Sequence, residues 1–465
     1  MKKLYKRMIS SFAAAAISIS SLGALSVSAS ESMILTEVVQ PRTAAITMEE
    51  NTVLETLASN PADSSAILTL APQIVQMLNN MVVQGQYENF DIGDIQANQM
   101  IKVYVPEQDL FSMNTTDTDT ILSALNNDIY MYVLYLPMGE KYAVVEISKG
   151  LPLSETGRAT LSVEEQAKIQ AQAGKWQVTG VGEIDQAPAY LDAAVYGLAQ
   201  ENGQGTARLV GGLEEFQQPV ALIFSEEELE TISLVNGAVL SGTWPELDAL
   251  IADGTDPKDG LLDFAETSSI IHSPEETGVE IQAGVPADLI PTDSTISVLS
   301  SPIYDLGVER IQQDTNTWCW AACASMIAQY ELNFLRCNQA FLVQHLKNQN
   351  KGYLAANEGA TDAGVIFAIE YILENKYTVQ KYGVGSYSTI KSYIMSNNAP
   401  AAKIQWESGD NHLVVLGGTY DGYNSLLVID PLPGCGRMWY EFTRLTSSNT
   451  FQSGSKGTMI NLFKY

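Results

Sequence analysis

The sequence is poor in the residues that build metal centres and nucleic-acid surfaces. It has 3 His and 4 Cys, which are scattered and include no Cys-x-x-Cys pair, so a zinc site is not expected and no cofactor is indicated. Lys and Arg number 25 against 54 Asp and Glu, which gives a formal net charge of −29. A field of this sign repels nucleic acid and anionic membrane surfaces, so neither is expected as a partner.

Long apolar runs are missing after the first thirty residues. Residues 1–29 have a basic start, then an apolar stretch rich in Ala and Ser, and small residues up to Ala29. This layout predicts a secretory signal peptide that is cleaved near Ala29. Because no later stretch approaches a membrane span, the mature protein is expected to be secreted and to lack a membrane span.

The rest of the chain is long enough for two or three domains, and its charge changes sharply along it. Residues 31–300 contain 41 acidic and 9 basic side chains, whereas residues 301–465 contain 13 and 12. Residues 265–300 lack Phe, Trp, Tyr, Lys and Arg and are rich in Ser, Thr, Pro, Glu and Gly, which is typical of an exposed linker. We therefore predict an acidic N-terminal domain (30–264), a linker (265–300) and a C-terminal domain (301–465).

Both domains combine helical and strand patterns, which predicts an α+β fold for each. In the N-terminal domain the patterns predict helices at 61–84, 163–173 and 190–200, strands at 101–105 and 219–224, and a hairpin of 129–136 with 142–147. In the C-terminal domain they predict helices at 318–330, 338–347, 361–374 and 388–395, then strands at 401–406, 413–417, 426–429, 438–442 and 457–463. The C-terminal domain should therefore have a helical half followed by a sheet half.

The C-terminal domain contains residues suited to catalysis by a cysteine nucleophile. Cys319 lies at the start of a predicted helix, where the helix N-terminus favours a thiolate. His412 opens one apolar strand and Asp430 ends the next, so neighbouring strands would set the two side chains beside each other. Gln313 lies on the loop before Cys319, where its amide can join the Cys319 backbone N–H in an oxyanion hole.

The other two histidines are poorer candidates for the base. His272 falls in the predicted linker, where nothing is expected to hold it in place. His345 lies in the middle of a predicted helix, where a role at the surface or at the edge of the core is the simpler reading. His412 is therefore the imidazole that we expect to act with Cys319.

The sequence allows several interpretations of the remaining cysteines. Cys323 follows Cys319 by one helical turn and is expected to be a small buried hydrophobe. An oxidising compartment also allows a disulfide between Cys337 and Cys435, or between Cys323 and Cys337. The sequence leaves this pairing open.

The motif QDTNTWCWA at 313–321, followed by His412 and an Asp-Pro pair at 430–431, resembles the papain-like cysteine peptidases. The resemblance is to their compact bacterial branch, in which Asp replaces the orienting Asn, and it covers residues 301–465. It implies a two-lobed catalytic domain with Cys in the helical half and His and Asp in the sheet half. Asn316 stands where many relatives have a further Cys, so their disulfide is not carried over.

The resemblance also implies a role for each site residue. Cys319 would attack the peptide carbonyl as the thiolate of an ion pair with His412, which then protonates the leaving amine. Asp430 would orient the imidazole, and Gln313 would stabilise the tetrahedral oxyanion. Trp320 is expected to pack between the two halves.

These observations predict a secreted bacterial cysteine peptidase that acts on peptides or proteins. By its position, the N-terminal domain is predicted to be an intramolecular pro-region that is removed by cleavage within 265–310, which would make the chain a zymogen. The alternative for this domain is an adhesion or substrate-docking role in which it stays attached. The alternatives for the whole chain are a narrow-specificity processing enzyme, a thiol acyltransferase of the same fold, and a non-catalytic binding module.

Overall fold

The computed structural model of the chain describes residues 54–185, 206–241 and 303–465. Short gaps interrupt these ranges at 107–109, 111–112, 114, 116, 126–128, 214–218, 225–228, 235–238, 316 and 355–358. The predicted signal peptide, the predicted linker with His272, the helix predicted at 190–200, and Asn316 all lie outside the described residues.

The N-terminal part of the structure begins with short helices and continues mainly as strands. Its helices are α1 (Pro61–Ile67), α2 (Ala71–Leu78), α3 (Thr118–Leu125), α4 (Glu155–Thr160) and α5 (Val163–Gln172). Its strands are β1 (Met100–Tyr104), β2 (Tyr130–Met138), β3 (Lys141–Lys149), β4 (Trp176–Ile184), β5 (Thr206–Val210), β6 (Val220–Phe224), β7 (Leu229–Leu234) and β8 (Val239–Ser241). The predicted hairpin is confirmed, with a two-residue turn in which Gly139 adopts a positive φ of 64°.

The C-terminal part has four helices before its main strands, as predicted. Its helices are α6 (Cys319–Leu332), α7 (Gln339–Gln349), α8 (Asp362–Ile372), α9 (Tyr387–Met395) and α10 (Phe442–Ser447). Its strands are β9 (Ile303–Asp305), β10 (Tyr353–Leu354), β11 (Gly359–Ala360), β12 (Gln380–Gly383), β13 (Ala401–Trp406), β14 (Asn411–Tyr420), β15 (Ser425–Ile429), β16 (Arg437–Glu441), β17 (Asn449–Thr450) and β18 (Lys456–Lys464). Three of the helices begin at a polar N-cap whose side chain accepts a backbone N–H, namely Asn338, Thr361 and Ser386.

Strands from both parts of the chain form one sheet. Its order is β12-β18-β13-β14-β15-β16-β4-β3-β2-β1-β5-β6-β7-β8, with β9 on β14 and β17 on β18, while β10 and β11 form a separate pair. The two parts join where β16 pairs antiparallel with β4, so that Met438 lies opposite Gly182. The α+β content agrees with the prediction. A separate N-terminal domain and a two-lobed catalytic domain are not confirmed, because sheet and core are shared across the junction.

The helical run Pro61–Val83 departs from the expectation that nothing after the signal peptide could span a membrane. By length and composition it is long enough and apolar enough to do so, with a mean hydropathy of 1.3. Ile67, Ile74 and Leu78 on this run are nevertheless fully buried in the core that it shares with the sheet. One such helix is weak evidence for a membrane span.

A buried carboxyl group lies at the junction of the two parts. Glu146 on β3 is 0% exposed, and Tyr440 on β16 donates a hydrogen bond of 3.1 Å to its Oε1. Its Oε2 is buried and has no hydrogen-bond partner in the structure. Burial raises the pKa of Glu146 to about 8, and the charge of Asp430 adds to this, while the Tyr440 hydrogen bond opposes it. Glu146 is therefore held as the neutral acid at and below neutral pH.

This burial makes the free energy of unfolding depend on pH. Because the pKa of Glu146 is higher in the folded than in the unfolded protein, its contribution is full below pH 4.5 and is lost as the pH rises through about 8. We expect Glu146→Gln to remove this decrease in the free energy of unfolding at high pH. At pH 9 the variant should be more stable than the wild type by a few kcal/mol. Urea unfolding at pH 5 and pH 9 measures the difference. Glu164→Gln, at a side chain 84% exposed, is the control, and an equal gain there would contradict the assignment.

Candidate active site

Cys319 is the first residue of α6, and its surroundings differ from those of the rest of the helix. It is partly exposed, whereas the nine residues from Trp320 to Ala328 are all buried. The backbone N–H groups of Ala321 and Ala322 both donate to the carbonyl of Trp318, which closes the first turn. The helix is thus anchored in the core by this buried stretch and presents the Cys319 sulfur at its N-terminal end, where the helix dipole favours an anion.

His412 and Asp430 lie next to each other, as their strand positions predicted. Strands β14 and β15 pair antiparallel with Val415 opposite Ile429, so the start of β14 reaches the residue that follows β15. The distance from His412 Nε2 to Asp430 Oδ1 is 2.8 Å, and the two residues are 2% and 5% exposed. The adjacency of the two side chains is confirmed.

The Asp430 carboxylate is itself held in place by backbone groups. The N–H of Leu432 donates to the same Oδ1 atom at 2.9 Å, which fixes the rotamer of the side chain. Arg310 Nε donates at 2.6 Å to the Asp430 carbonyl, and the same guanidinium donates to the carbonyl of Leu432. The turn after β15 is therefore tied to the segment that leads into α6.

The His412 imidazole interacts with both Cys319 and Asp430. Its Nε2 contacts Asp430, and Cys319 is near enough to the ring to affect its pKa. Burial alone would lower the pKa of His412. The charge and hydrogen bond of Asp430, followed by the hydrogen bond and charge of Cys319, outweigh burial and raise the pKa to about 10. A buried imidazole with this pKa is an imidazolium at neutral pH.

The sequence analysis missed Trp406, which covers the imidazole. Its ring stacks on His412 with the centroids 5.5 Å apart and the planes at 15°, and it meets the ring of Phe451 edge to face at 5.3 Å. Trp406 is the last residue of β13. Its backbone N–H donates to the carbonyl of Asp410 across the turn before β14. An aromatic residue at a tight hairpin turn that leads to His412 is the signal that could have identified it.

Gln313 lies on the loop before α6 and is 1% exposed. Its backbone N–H donates to the carbonyl of Pro431 at 2.9 Å, so this loop lies against the turn that carries Asp430. Its side-chain Nε2 donates to the Thr315 carbonyl at 2.8 Å, and its Oε1 is buried without a partner. The predicted part of Gln313 in an oxyanion hole stays a prediction.

A second glutamine, Gln339, was also missed by the sequence analysis. This buried side chain at the start of α7 donates to the carbonyl of Gln312 at 2.7 Å and accepts the N–H of Asp314 at 3.1 Å. The Gln339 side chain therefore holds the loop through hydrogen bonds to the residues on either side of Gln313. Nothing in the local sequence pattern distinguishes this residue from other glutamines in helices.

The other cysteines and His345 have different surroundings. Cys323 is fully buried with its sulfur 3.1 Å from the Leu413 carbonyl, and burial raises its pKa well above that of a free thiol. All four cysteines are free thiols in the structure. His345 stacks on Tyr371 with the ring centroids 3.9 Å apart, at the edge of the helical half. Within the described ranges no cluster of His, Cys, Asp and Glu could hold a metal ion.

The residues of this group lie within the range matched by a known family. A family model described as the Peptidase_C39 like family matches residues 305–456, about a third of the chain, and this range contains all four residues predicted for the site. Residues 305–456 are a papain-like cysteine peptidase segment. No curated protein matches the chain. The matched range thus includes the helices α6 to α10 and the strands β13 to β17.

Several solved structures match this chain, and one of them is a bacterial peptidase domain. It is the crystal structure of the peptidase domain of Streptococcus ComA, a bifunctional ABC transporter involved in a quorum-sensing pathway. The two share 17% identity, and the match covers 34% of this chain and 96% of that one with a TM-score of 0.23. At this level the likeness carries no argument about activity or substrate.

Trp406 supplies a test of the geometry of the peptidase segment. Trp406→Ala should lower the free energy of unfolding by about 3–5 kcal/mol, because a large buried ring is lost, and should admit water to the His412–Asp430 contact. Trp406→Phe retains a ring over the imidazole and should keep most of the stability. Chemical denaturation of both variants measures this. Equal losses in the two variants would contradict a stacking role.

Proposed function

We propose that this chain is a cysteine peptidase that hydrolyses peptide bonds through Cys319, His412 and Asp430. The observation that carries the proposal is the buried imidazole of His412, which contacts Asp430 at 2.8 Å and whose pKa is raised by Asp430 and by Cys319 at the N-terminus of α6. A nucleophile, a base and an orienting group in this order are the minimal set for acyl transfer by a thiol. A family match over the same residues supports this assignment.

In the proposed reaction the thiolate of Cys319 attacks the scissile carbonyl carbon and forms a tetrahedral oxyanion. His412, as the imidazolium, gives its proton to the departing amine when the C–N bond breaks and the thioester forms. The now neutral imidazole takes a proton from water, whose oxygen attacks the thioester, and the second tetrahedral species collapses to release the acid and restore Cys319. The raised pKa of His412 supports an imidazolium in the resting enzyme.

The remaining groups are proposed to prepare this chemistry. Asp430 fixes the ring orientation of His412 and stabilises its positive charge. Trp406 keeps water from their contact, which strengthens it. The backbone N–H of Cys319, with the Gln313 amide, is proposed to stabilise the oxyanion. For this, the Gln313 amide must offer an N–H besides the one given to Thr315.

Peptides or proteins outside the cell are the proposed substrates. Secretion rests on the basic and apolar start of the chain, and the acidic composition disfavours nucleic acid as a partner. That residues 30–264 are a pro-region, and that the chain is therefore a zymogen, also stays a prediction. N-terminal sequencing of the active form from culture medium tests it, and an active form that begins near residue 30 would contradict it.

Turnover and thiol trapping together separate this function from its alternatives. Purified protein is incubated with casein, with and without prior treatment by a thiol-reactive epoxide. We expect casein cleavage that the epoxide abolishes. Trapping without casein cleavage would favour a narrow processing enzyme or an acyltransferase, and absence of both would favour a non-catalytic binding module.

A further inference from the structure

The junction between the N-terminal region (54–241) and the peptidase segment is closely fitted on both sides. Strand β4 pairs with β16 so closely that a Cβ on Gly182 would lie 2.1 Å from the carbonyl oxygen of Arg437. A Cβ on Gly436 would lie 2.1 Å from the carbonyl oxygen of Glu183. Glycine at both positions is therefore required for the two strands to meet, and each region supplies one.

Charged side chains from both regions surround this strand pair. Arg437 lies 2.5 Å from Asp305 within the peptidase segment and 3.5 Å from Glu183 of the N-terminal region. Lys141 also binds Glu183, at 2.9 Å. The edge of the peptidase sheet is thus covered by β4, whose Glu183 pairs with Arg437, and without β4 the strand β16 would expose unpaired backbone groups.

A second contact connects the N-terminal region to the imidazole. The N–H of Gly212 donates to the carbonyl of Ser453 at 3.1 Å, and a Cβ on Gly211 would lie 2.7 Å from the Cα of Gly454. The turn 451–455 therefore rests directly on residues 211–212. This turn carries Phe451, whose ring meets Trp406 at 5.3 Å, and Trp406 stacks on His412.

The buried pair of Glu146 and Tyr440 supports the same turn from the other side. The ring of Tyr440 meets Phe451 at 5.2 Å, and its hydroxyl donates to Glu146 of the N-terminal region. Helix α4 adds a third contact, because a Cβ on Gly157 would lie 2.9 Å from the Cα of Ser447 on α10. Strand pairing, turn and helix thus form one continuous buried junction.

We propose that residues 54–241 are a permanent half of the enzyme, which completes the peptidase sheet at β16 and holds the turn 451–455 against Trp406, so that Trp406 stays stacked on His412. Cleavage of the chain between the two regions then yields two fragments that remain bound as one protein. This differs from a pro-region that departs on activation. The activity readouts below rest on the proposed function, whereas the association readout does not.

A nicked protein tests the association. A recognition sequence for a site-specific protease is inserted within 265–300 of the full chain, which is purified, cut and passed over a size-exclusion column at nanomolar concentration. We expect the two fragments to elute together, and casein cleavage to be retained. Separate elution would overturn the proposal. Co-elution without any peptidase activity would leave the permanent junction standing and count against the proposed function alone.

Matched variants show whether the observed junction holds the two fragments together. In the nicked protein, Gly182→Val should release the fragments, while Gly383→Val, at a strand glycine with open space around it, should leave them together. Should Gly182→Val not fold as an intact chain, Arg437→Ala serves instead and should weaken association by at least roughly tenfold. Fragments of either junction variant that stay together as tightly as the wild type would overturn this mode of contact.

The effect of the turn 451–455 on the position of His412 can be tested by enzyme kinetics. Gly211→Ala should displace the turn 451–455 and lower kcat for a peptide substrate by roughly 10-fold, with KM unchanged, because a small displacement of a catalytic group is costly. A merely structural role would lower the melting temperature without this split between kcat and KM. An unchanged kcat in the folded variant would overturn the positioning part of the proposal.

Discussion

Replacement of His412 by Ala is expected to lower kcat/KM for a peptide substrate by roughly 10⁴-fold, and Cys319→Ala is expected to cost at least as much. His412 contacts Asp430, and its pKa is also raised by the nearby Cys319, so its removal leaves the thiol without a group that accepts its proton or protonates the leaving amine. Because the residues act as one unit, the double variant should lose no more than Cys319→Ala alone. Steady-state turnover of a fluorogenic peptide measures all three variants.

Two controls are available within the same segment. His345→Ala removes an imidazole that stacks on Tyr371, away from the catalytic group, and Cys337→Ala removes a partly exposed thiol. Both should keep the activity of the wild type. A comparable loss in either control, or a multiplicative loss in the double variant, would contradict the proposed unit.

Asp430→Ala is expected to lower kcat/KM by roughly 10³- to 10⁴-fold and to destabilise the fold by about 2–5 kcal/mol. The carboxylate accepts from His412 and from the N–H of Leu432, and both donors would remain buried and unpaired. Loss of the anion also removes the strongest cause that raises the pKa of His412. Kinetics and urea denaturation measure the two effects separately.

Asp430→Asn separates orientation from charge. Its side-chain oxygen can still accept both N–H groups, so the loss of stability should be smaller than in Asp430→Ala, while the charge that stabilises the imidazolium is gone. In the wild type the contribution of His412 to stability is full below pH 6.5 and is lost as the pH rises through about 10, because its pKa is raised in the fold. This alkaline loss should shrink in Asp430→Asn, and an unchanged pH profile would contradict the ion pair.

The adjacency of His412 and Asp430 could be predicted because both residues occupy positions that local patterns identify. Cys319 begins a helix, and His412 and Asp430 lie at the start and just beyond the end of adjoining apolar strands, so element prediction alone placed the pair together. The hairpin of β2 and β3 was likewise predictable, since a Gly-containing turn separates two apolar runs. In each case the information lies within a few residues or in neighbouring strands.

The junction could not be predicted in this way. Pairing of β4 with β16 depends on Gly182 and Gly436, which are far apart in sequence. The sequence around either glycine does not indicate which strand it pairs with. The acidic composition and the low-complexity segment after residue 264 instead favoured a detachable domain. Long-range strand pairing is set by packing and register, which composition does not record.

The most direct test of the account is the position of a thiol-trapping epoxide on the chain. Trypsin should release a peptide from Ile311 to Arg336, which contains Cys319 and Cys323, and a separate peptide that begins at Cys337. Tandem mass spectrometry of these peptides locates the label. We predict a single adduct on Cys319 that disappears in His412→Ala, whereas labelling at Cys337, or labelling of Cys319 that does not depend on His412, would contradict the account.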